Sequence, residues 1–204
     1  MGNYSWWEKN VEYKFVVDAA SAKLWDFAAP MSGVHERTAG DAIFGKDLKL
    51  VLVEFKRDKN SIPTEQTLFH NYPKAKELLQ DFKHHHIVFG ALKTVKNEPT
   101  FILVGQRYFI AGEFFPALEV LEDGSEISEF YKYLQALAEQ KIVDGRSSGH
   151  VSTEGMSTVL GVTSGGQVKA AAALHEYAPT LFPAPASPTP PPPGPKVIAP
   201  TPFG

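Results

Sequence analysis

The most constraining feature of the sequence is a strand-like segment that ends in charged residues. Four consecutive apolar residues, 50–53, run directly into Glu54-Phe55-Lys56. Side chains alternate between the two faces of a strand, so Glu54 and Lys56 point to the same face. A strand that is apolar on both faces is usually buried on both. Because burying an unpaired charge is costly, both charged side chains need partners, and the segment predicts a charged site at its end.

This strand is predicted to be the second arm of a β-hairpin. The first arm begins at Gly40-Asp41, and the polar residues 45–47 provide the turn. With the turn centred near residues 47–48, Asp41 lies opposite Glu54, because residues at equal offsets from a turn face each other. Two carboxylates this close repel each other unless a cation lies between them. Mg²⁺ is the natural cation, since it binds one or two carboxylates together with the phosphate oxygens of a substrate.

The spacing of these residues resembles the active-site motif of the PD-(D/E)xK nuclease superfamily. Gly40-Asp41 is followed, after twelve intervening residues, by Glu54-Phe55-Lys56, with Gly-Asp in the place of Pro-Asp. The resemblance extends over roughly residues 8–140. It implies an α/β, restriction-endonuclease-like fold, in which helices flank a mixed sheet. It also implies a metal-dependent nuclease that hydrolyses phosphodiester bonds, with DNA as the first choice of substrate and RNA as the second.

The same resemblance assigns roles to individual residues. Asp41, Glu54 and Phe55 would belong to a site for Mg²⁺ or Mn²⁺. Lys56 would orient the attacking water or stabilise the charge that develops on the phosphate. The expected cofactor is therefore a divalent cation, and the expected partner is a nucleic acid.

Two further carboxylates are candidates for the same site. Residues 5–23 predict a helix, with Ser5 as its N-cap and an apolar residue at every fourth position from residue 11. Glu12 flanks this stripe, and the resemblance implies that the helix before the hairpin supplies an acidic residue. Glu36, in the segment between this helix and the hairpin, is the second candidate. The alternatives are a solvated glutamate on a helix flank for Glu12 and an ordinary loop residue for Glu36.

The segment after the hairpin predicts another helix. Apolar residues between positions 64 and 83 follow helical spacing. Pro73 either kinks this helix or begins its second half, with Asn71 as the cap. Glu65 or Gln66, at the start of the helix, is a candidate for supporting the site.

Two strands and a third helix complete the predicted domain. Residues 87–92 and 101–106 are rich in β-formers and are separated by a polar turn. Residues 127–142 carry a helical apolar stripe, with Ser125 or Asp123 as the cap.

The three consecutive histidines at residues 84–86 do not predict a metal site. In an extended segment, alternate side chains point to opposite faces, so the three cannot converge on one ion. We interpret them as the end of the second helix, where imidazoles suit the helix dipole, leading into a strand.

Composition predicts three regions. Residues 1–143 form the domain that the resemblance identifies as nuclease-like, and residues 144–178 are a Gly/Ser-rich accessory segment that could form a small hairpin around residues 165–166. Residues 179–204 contain 11 of the 16 prolines and predict a disordered or polyproline tail. Such a tail is either a spacer or a ligand for an aromatic groove on a protein partner.

Charge and hydropathy narrow the class of protein. The net charge of −3 provides no global basic field, which argues against a tight, general nucleic-acid binder but not against a nuclease with a local basic rim. The absence of cysteine excludes disulfides and thiolate-held zinc. No signal peptide and no apolar run long enough to span a membrane are seen, so a cytoplasmic protein without membrane contact is expected.

A second function remains open at this point. The same fold, retained without turnover, would act as a binding or interaction module through its surface and its Pro-rich tail. The near-neutral charge and the tail favour this alternative.

Overall fold

The computed structural model describes residues 5–30, 40–46, 49–143, 146–147, 161–163 and 168–169. Glu36, the predicted turn at residues 47–48 and the Pro-rich segment 179–204 lie outside the described residues. Among the described residues, no helix is long and apolar enough to cross a membrane. The described elements are α1 (Glu8–Ser21), β1 (Phe27–Pro30), β2 (Ala42–Lys46), β3 (Lys49–Lys56), a 3₁₀ helix (Lys59–Leu68), α2 (Tyr72–Leu79), β4 (His85–Val95), β5 (Glu98–Arg107), β6 (Phe115–Pro116), a second 3₁₀ helix (Ala117–Glu122), β7 (Ser125–Glu126), α3 (Ile127–Gln140), β8 (Ile142–Val143), β9 (Arg146–Ser147), β10 (Gly161–Thr163) and β11 (Val168–Lys169).

Most of these strands form one sheet. Their order is β11-β10-β1-β2-β3-β4-β5-β6, with β7 paired to the start of β3. Neighbours in the sheet are antiparallel except β3 and β4, which run parallel. The crossover between these two strands passes through the first 3₁₀ helix and α2, because parallel neighbours need a long connection. The chain is therefore an α/β protein with a mostly antiparallel sheet flanked by helices, which confirms the predicted class at this level.

The two faces of the sheet carry separate apolar clusters, because side chains alternate along β3. Leu50 and Leu52 belong to the cluster that packs under α2 and α3. Val51, Val53 and Phe55 belong to the cluster that packs under α1 and the second 3₁₀ helix. The prediction that this strand is buried on both faces is confirmed. Each such fully buried side chain contributes about 1.5–3 kcal/mol.

The first helix starts later than predicted. α1 begins at Glu8, where the Asn10 side chain accepts a hydrogen bond from the Trp7 N–H at 2.8 Å. Ser5 lies before this cap and does not form it, so that prediction is wrong. The apolar stripe of α1 is buried, as predicted.

The helical segment predicted for residues 64–83 is divided near Pro73, as one of the two alternatives predicted, but its first part is a 3₁₀ helix. Asp58 caps the first 3₁₀ helix by accepting hydrogen bonds from two backbone N–H groups at 2.9 and 3.2 Å. Phe69 is extended and forms a β-bridge with Lys141, which ends that helix. α2 then begins with Asn71 as its N-cap, accepting from the Lys74 N–H at 3.1 Å, as predicted.

The two predicted strands form the long hairpin β4–β5. Its turn consists of Lys96 and Asn97, whose φ angles of 49° and 65° are those of a two-residue hairpin turn with left-handed central residues. β4 begins earlier than predicted and includes His85 and His86. The preceding helix ends at Leu79 and all three histidines are buried, so their assignment to the end of that helix is wrong, whereas the strand that was predicted to follow is confirmed.

α3 lacks the predicted cap. Ser125 lies in β7, where it pairs with Leu50, and Asp123 follows the second 3₁₀ helix. The N-cap position is Glu126, which makes no side-chain capping bond.

Strands from the segment 144–178 join the sheet. β10 and β11 pair as an antiparallel hairpin, and β10 pairs with β1. The residues of the Gly165-Gly166 turn lie outside the described part of the chain.

Gly90 in β4 is predicted to exclude any side chain. A Cβ at this position would lie 2.5 Å from Trp6 Nε1 and 2.6 Å from a ring carbon of Phe101. We expect Gly90→Ala to lower the free energy of unfolding by about 1–3 kcal/mol, the usual cost of overpacking, as measured by urea denaturation. The control is Asn97→Gly in the exposed turn, which should change stability by less than about 0.5 kcal/mol. An unchanged unfolding midpoint for Gly90→Ala would contradict this packing.

Candidate active site

The hairpin brings Asp41 and Glu54 to the same end of the sheet. Ala42 pairs with Val53 at the end of the β2–β3 ladder, so the next residues, Asp41 and Glu54, face each other. The Asp41 Oδ2 atom accepts a hydrogen bond from the Phe55 N–H at 2.6 Å. The hairpin therefore has the register that the sequence predicts.

Lys56 lies between two carboxylates. Its Nζ is 2.7 Å from Glu54 Oε1 and 2.8 Å from Glu65 Oε1. Glu54 and Lys56 share a face because they are two positions apart on β3, and the following 3₁₀ helix places Glu65 against that face. The three side chains expose only 5–12% of their surface. The buried lysine thus lies within ion-pair distance of two carboxyl groups.

Further buried polar side chains lie beside Glu65. The Tyr108 hydroxyl donates a hydrogen bond to Glu65 Oε2. Lys141 is 1% exposed, and its Nζ lies 5.8 Å from the centroid of the Tyr108 ring. The Tyr108 ring is stacked on His85 with centroids 3.9 Å apart, and His85 Nδ1 is hydrogen-bonded to the Tyr133 hydroxyl. These contacts hold Glu65 in place from the interior.

We call the five ionisable residues Asp41, Glu54, Lys56, Glu65 and Lys141 the charged cluster. With all of them ionised, three carboxylates face two ammonium groups, which leaves one excess negative charge. Burial, and then the neighbouring carboxylates of Glu65 and Asp41, raise the pKa of Glu54 to about 8. Glu54 is therefore the member of the cluster that takes up a proton near neutral pH.

Lys56 and Glu65, which contact each other in the cluster, remain charged. Burial alone would lower the pKa of Lys56, but the attraction of Glu54 and Glu65 outweighs it and raises that pKa above its ordinary value. Burial would raise the pKa of Glu65, yet Lys141 and Lys56 together lower it. Lys56 and Glu65 thus form an ion pair that stays ionised, while Glu54 responds to pH.

The residues that could hold a metal ion are few. Among the described residues, no three His, Asp or Glu side chains are grouped so as to hold one. The donors at the hairpin end are the carboxylates of Asp41 and Glu54, and Mg²⁺ accepts as few as one or two carboxylates. The ring of Phe55 packs against Phe15 on the opposite face, with centroids 5.5 Å apart, so only its backbone carbonyl could contribute. A cation at this position would take the place of the proton on Glu54 in balancing the charge of the cluster.

The remaining predicted residues lie elsewhere. Glu12 forms an ion pair with Lys9 at 2.6 Å, and α1 packs on the face of the sheet opposite Lys56. Its side chain lines a cavity of about 280 Å³ together with Pro30 and Ala42, so it borders the hairpin without joining Lys56. Glu36 lies outside the described residues.

Some members of the site could not be identified from the sequence. Of the two supporting candidates, Glu65 is 3% exposed and contacts Lys56, whereas Gln66 is exposed. Tyr108 and Lys141 were missed. Tyr108 directly follows a strand, which is a weak signal for a residue at a sheet end, and a lysine after a helix gives no signal of burial.

Comparison with protein-family models, with curated proteins and with solved structures found no match to the chain. The chemistry of the site is therefore inferred from its own residues.

The raised pKa of Glu54 makes folding stability depend on pH. The proton on Glu54 contributes to the free energy of unfolding, because the folded state binds it more tightly than the unfolded state does. This contribution is fully present below the ordinary pKa of 4.5 and is lost as the pH rises through about 8. We expect the wild type to lose more free energy of unfolding than Glu54→Gln as the pH is raised from 5 to 9, as measured by urea denaturation. The exposed variant Glu98→Gln should follow the wild type. Parallel profiles for wild type and Glu54→Gln would show that Glu54 ionises normally.

Proposed function

We propose that the chain is a metal-dependent nuclease of the PD-(D/E)xK type with a restriction-endonuclease-like fold. The observation that carries this proposal is the position of Asp41 across the hairpin from Glu54, with Lys56 on the same face of β3. Two carboxylates beside a buried lysine suit the metal-assisted hydrolysis of a phosphodiester.

The order of elements supports the proposal. α1 precedes the β2–β3 hairpin, helical segments follow it, and β4 returns parallel to β3. This arrangement agrees with the mixed sheet flanked by helices that the sequence resemblance implies. Both faces of the sheet are covered at the end of β3, where the charged cluster lies.

The charge of the cluster supports a bound cation. Glu54 takes up a proton because it is buried beside Glu65 and Asp41. A divalent cation would stabilise its ionised form in the same way that any nearby positive charge does. Mg²⁺ or Mn²⁺, held by Asp41, Glu54 and the carbonyl of Phe55, would supply Lewis-acid activation of the phosphate and of a water molecule.

Lys56 is suited to act on the reactants. An ammonium group has three N–H donors, and Glu54 and Glu65 are its ion-pair partners in the described part of the chain. The side chain keeps 12% of its surface exposed. We infer that Lys56 orients the attacking water or stabilises the charge that develops on the phosphate, and that Glu65 holds it in position.

The proposed substrate is DNA, with RNA as the second candidate. The net charge of −3 requires that binding come from a local basic rim rather than from the whole surface. Lys9 and Arg57 suit such a rim, because their side chains are 72% and 53% exposed. Lys9 is within electrostatic range of Asp41, and Arg57 follows Lys56 directly.

A binding module without turnover is the second candidate function. The observation that favours it is the pairing of Lys56 with both carboxylates, which balances the lysine without any ligand. In this alternative, the charged cluster is structural, and a partner would bind elsewhere on the surface.

We expect the purified chain to cut linear duplex DNA with Mg²⁺ or Mn²⁺ and not with EDTA. Single-stranded DNA and RNA serve as parallel substrates. Glu54→Gln and Lys56→Met should each reduce the rate by at least about 10²-fold, because each removes a group that stabilises the transition state. Their matched controls, Glu129→Gln and Lys83→Met, change exposed residues and should cut at the wild-type rate.

Circular dichroism should confirm that all four variants fold. Cutting that persists in folded Glu54→Gln would exclude the charged cluster as the active site. If the wild type cuts no substrate and isothermal titration calorimetry detects no Mg²⁺ or Mn²⁺ binding, the nuclease proposal fails and the binding module takes its place.

A further inference from the structure

We propose that the free end of the β4–β5 hairpin enters the major groove of duplex DNA. This end consists of residues 92–100, all of which are exposed, and we call it the β4–β5 arm. The inference deepens the proposed nuclease function and rests on it for the choice of partner.

The β4–β5 arm projects beyond the sheet at the end that carries the charged cluster. β3 and β4 run parallel, and Lys56, the last residue of β3, pairs with Phe89. β4 continues to Val95, six residues further, which is about 20 Å at the rise of an extended strand. On the other side, β6 pairs with β5 only at Val104 and Gly105. Among the described strands, therefore, none pairs with the outer edges of the arm.

Lys93 lies on the same face of the sheet as the charged cluster. Phe89 pairs with Lys56, whose side chain points to that face, and Lys93 is four positions further along β4. An even spacing keeps side chains on one face of a strand. Four positions correspond to about 13 Å along the strand. A duplex that has one phosphate at Lys56 and runs along this face would therefore meet Lys93.

The β4–β5 arm is basic, although the whole chain has a net charge of −3. It contains Lys93 and Lys96, with Glu98 as its one acidic residue. Neither lysine forms an ion pair with a carboxylate of the described residues, whereas Lys9 and Lys14 on α1 are both paired. The two ammonium groups of the arm are therefore free to contact the phosphates of a nucleic acid.

The base of the β4–β5 arm is fixed to the end of β3. The Trp6 ring packs against Phe101, with centroids 5.1 Å apart, and its indole N–H donates to the carbonyl of Arg57 at 2.6 Å. The Gly90 N–H donates to the same carbonyl at 3.2 Å. The pairing of β4 with β5 continues without a break to Val95. The arm is thus a continuous extension of the sheet and is held at a defined position relative to Lys56.

The shape of the β4–β5 arm selects the partner. The major groove of B-form DNA is wide enough to admit a two-stranded ribbon, whereas the minor groove is about half as wide. The major groove of an RNA duplex is deep and narrow, so side chains do not reach into it. Lys93 and Lys96 would contact the phosphates that border the groove. The arm therefore favours duplex DNA over duplex RNA of the same charge.

Fluorescence anisotropy on the full chain tests the proposal, with labelled duplex DNA, duplex RNA and single-stranded DNA of equal length as the probes. The titrations contain EDTA, which prevents metal-dependent cutting. We expect duplex DNA to bind at least about tenfold more tightly than either of the other probes, because only its major groove accepts the ribbon.

Two substitutions in the β4–β5 arm test its role directly. Lys93→Met and Lys96→Met should each weaken the binding of duplex DNA by about threefold or more. Each should also lower the slope of log Kd against log salt by about 1, because each removes one phosphate contact. Lys83→Met removes an exposed lysine just before β4, at the opposite end of that strand, and should bind like the wild type. Urea denaturation should give all three variants the unfolding midpoint of the wild type, since they change exposed side chains.

Four results would overturn the proposal. The first is no binding of duplex DNA to the folded wild type. The second is equal binding of the DNA and RNA duplexes, which would mean unspecific attraction to phosphates. The third is unchanged binding of duplex DNA by both Lys93→Met and Lys96→Met. The fourth is a dimer in analytical ultracentrifugation that Val95→Ser dissociates, since a second copy of the chain would then cover the arm.

The failure of this proposal is distinguishable from the failure of the nuclease proposal. If the wild type cuts duplex DNA and both arm variants bind and cut it like the wild type, the arm has no role and the nuclease stands. If duplex DNA binds through Lys93 and Lys96 but no substrate is cut with Mg²⁺ or Mn²⁺, the arm is a DNA-binding ribbon and the nuclease proposal fails.

Discussion

The burial of Lys56 between Glu54 and Glu65 is the interaction on which the rest of the structure depends. A lysine at the end of a doubly covered strand is stable only when its charge is matched, and each of these carboxylates lies within 2.8 Å of it. Glu65 reaches the lysine because Asp58 starts a 3₁₀ helix directly after β3. Tyr108 and Lys141 then fix Glu65 from the interior, so the sheet, the crossover and the end of α3 all meet at this ion pair.

The charged cluster balances its negative charge internally. Lys56 and Lys141 lie among the three carboxyl groups, and burial together with the neighbouring carboxylates raises the pKa of Glu54 above its ordinary value. The proton on Glu54 therefore completes the balance of charge, and the number of ionised groups in the cluster changes with pH.

The elements that could be predicted from the sequence are those set by local patterns. Strand alternation and a polar turn were enough to place Asp41 against Glu54, and the apolar spacing of α1 identified its buried face. Within residues 64–83, the second half capped by Asn71 was predicted, but the first half is a 3₁₀ helix, because apolar spacing does not distinguish a 3₁₀ helix from an α-helix. Lys141 could not be found, because its position depends on contacts with residues distant in sequence. The burial of the three histidines was missed for the same reason, since His84 and His85 pack against Tyr133 of α3 and His86 packs against Phe115.

The hydrogen bond of the Trp6 indole places a fluorescent side chain beside the charged cluster. The indole N–H of Trp6 donates to the carbonyl of Arg57 at 2.6 Å, and its ring lies 5.1 Å from that of Phe101. Arg57 directly follows Lys56, so the fluorescence of this indole depends on the backbone beside the charged cluster. Trp7, at 74% exposed, and Trp25, at 4% exposed, have quite different surroundings and would emit at different wavelengths. The protein thus has an intrinsic fluorophore at the end of β3, and structural changes at that end can be followed by tryptophan fluorescence.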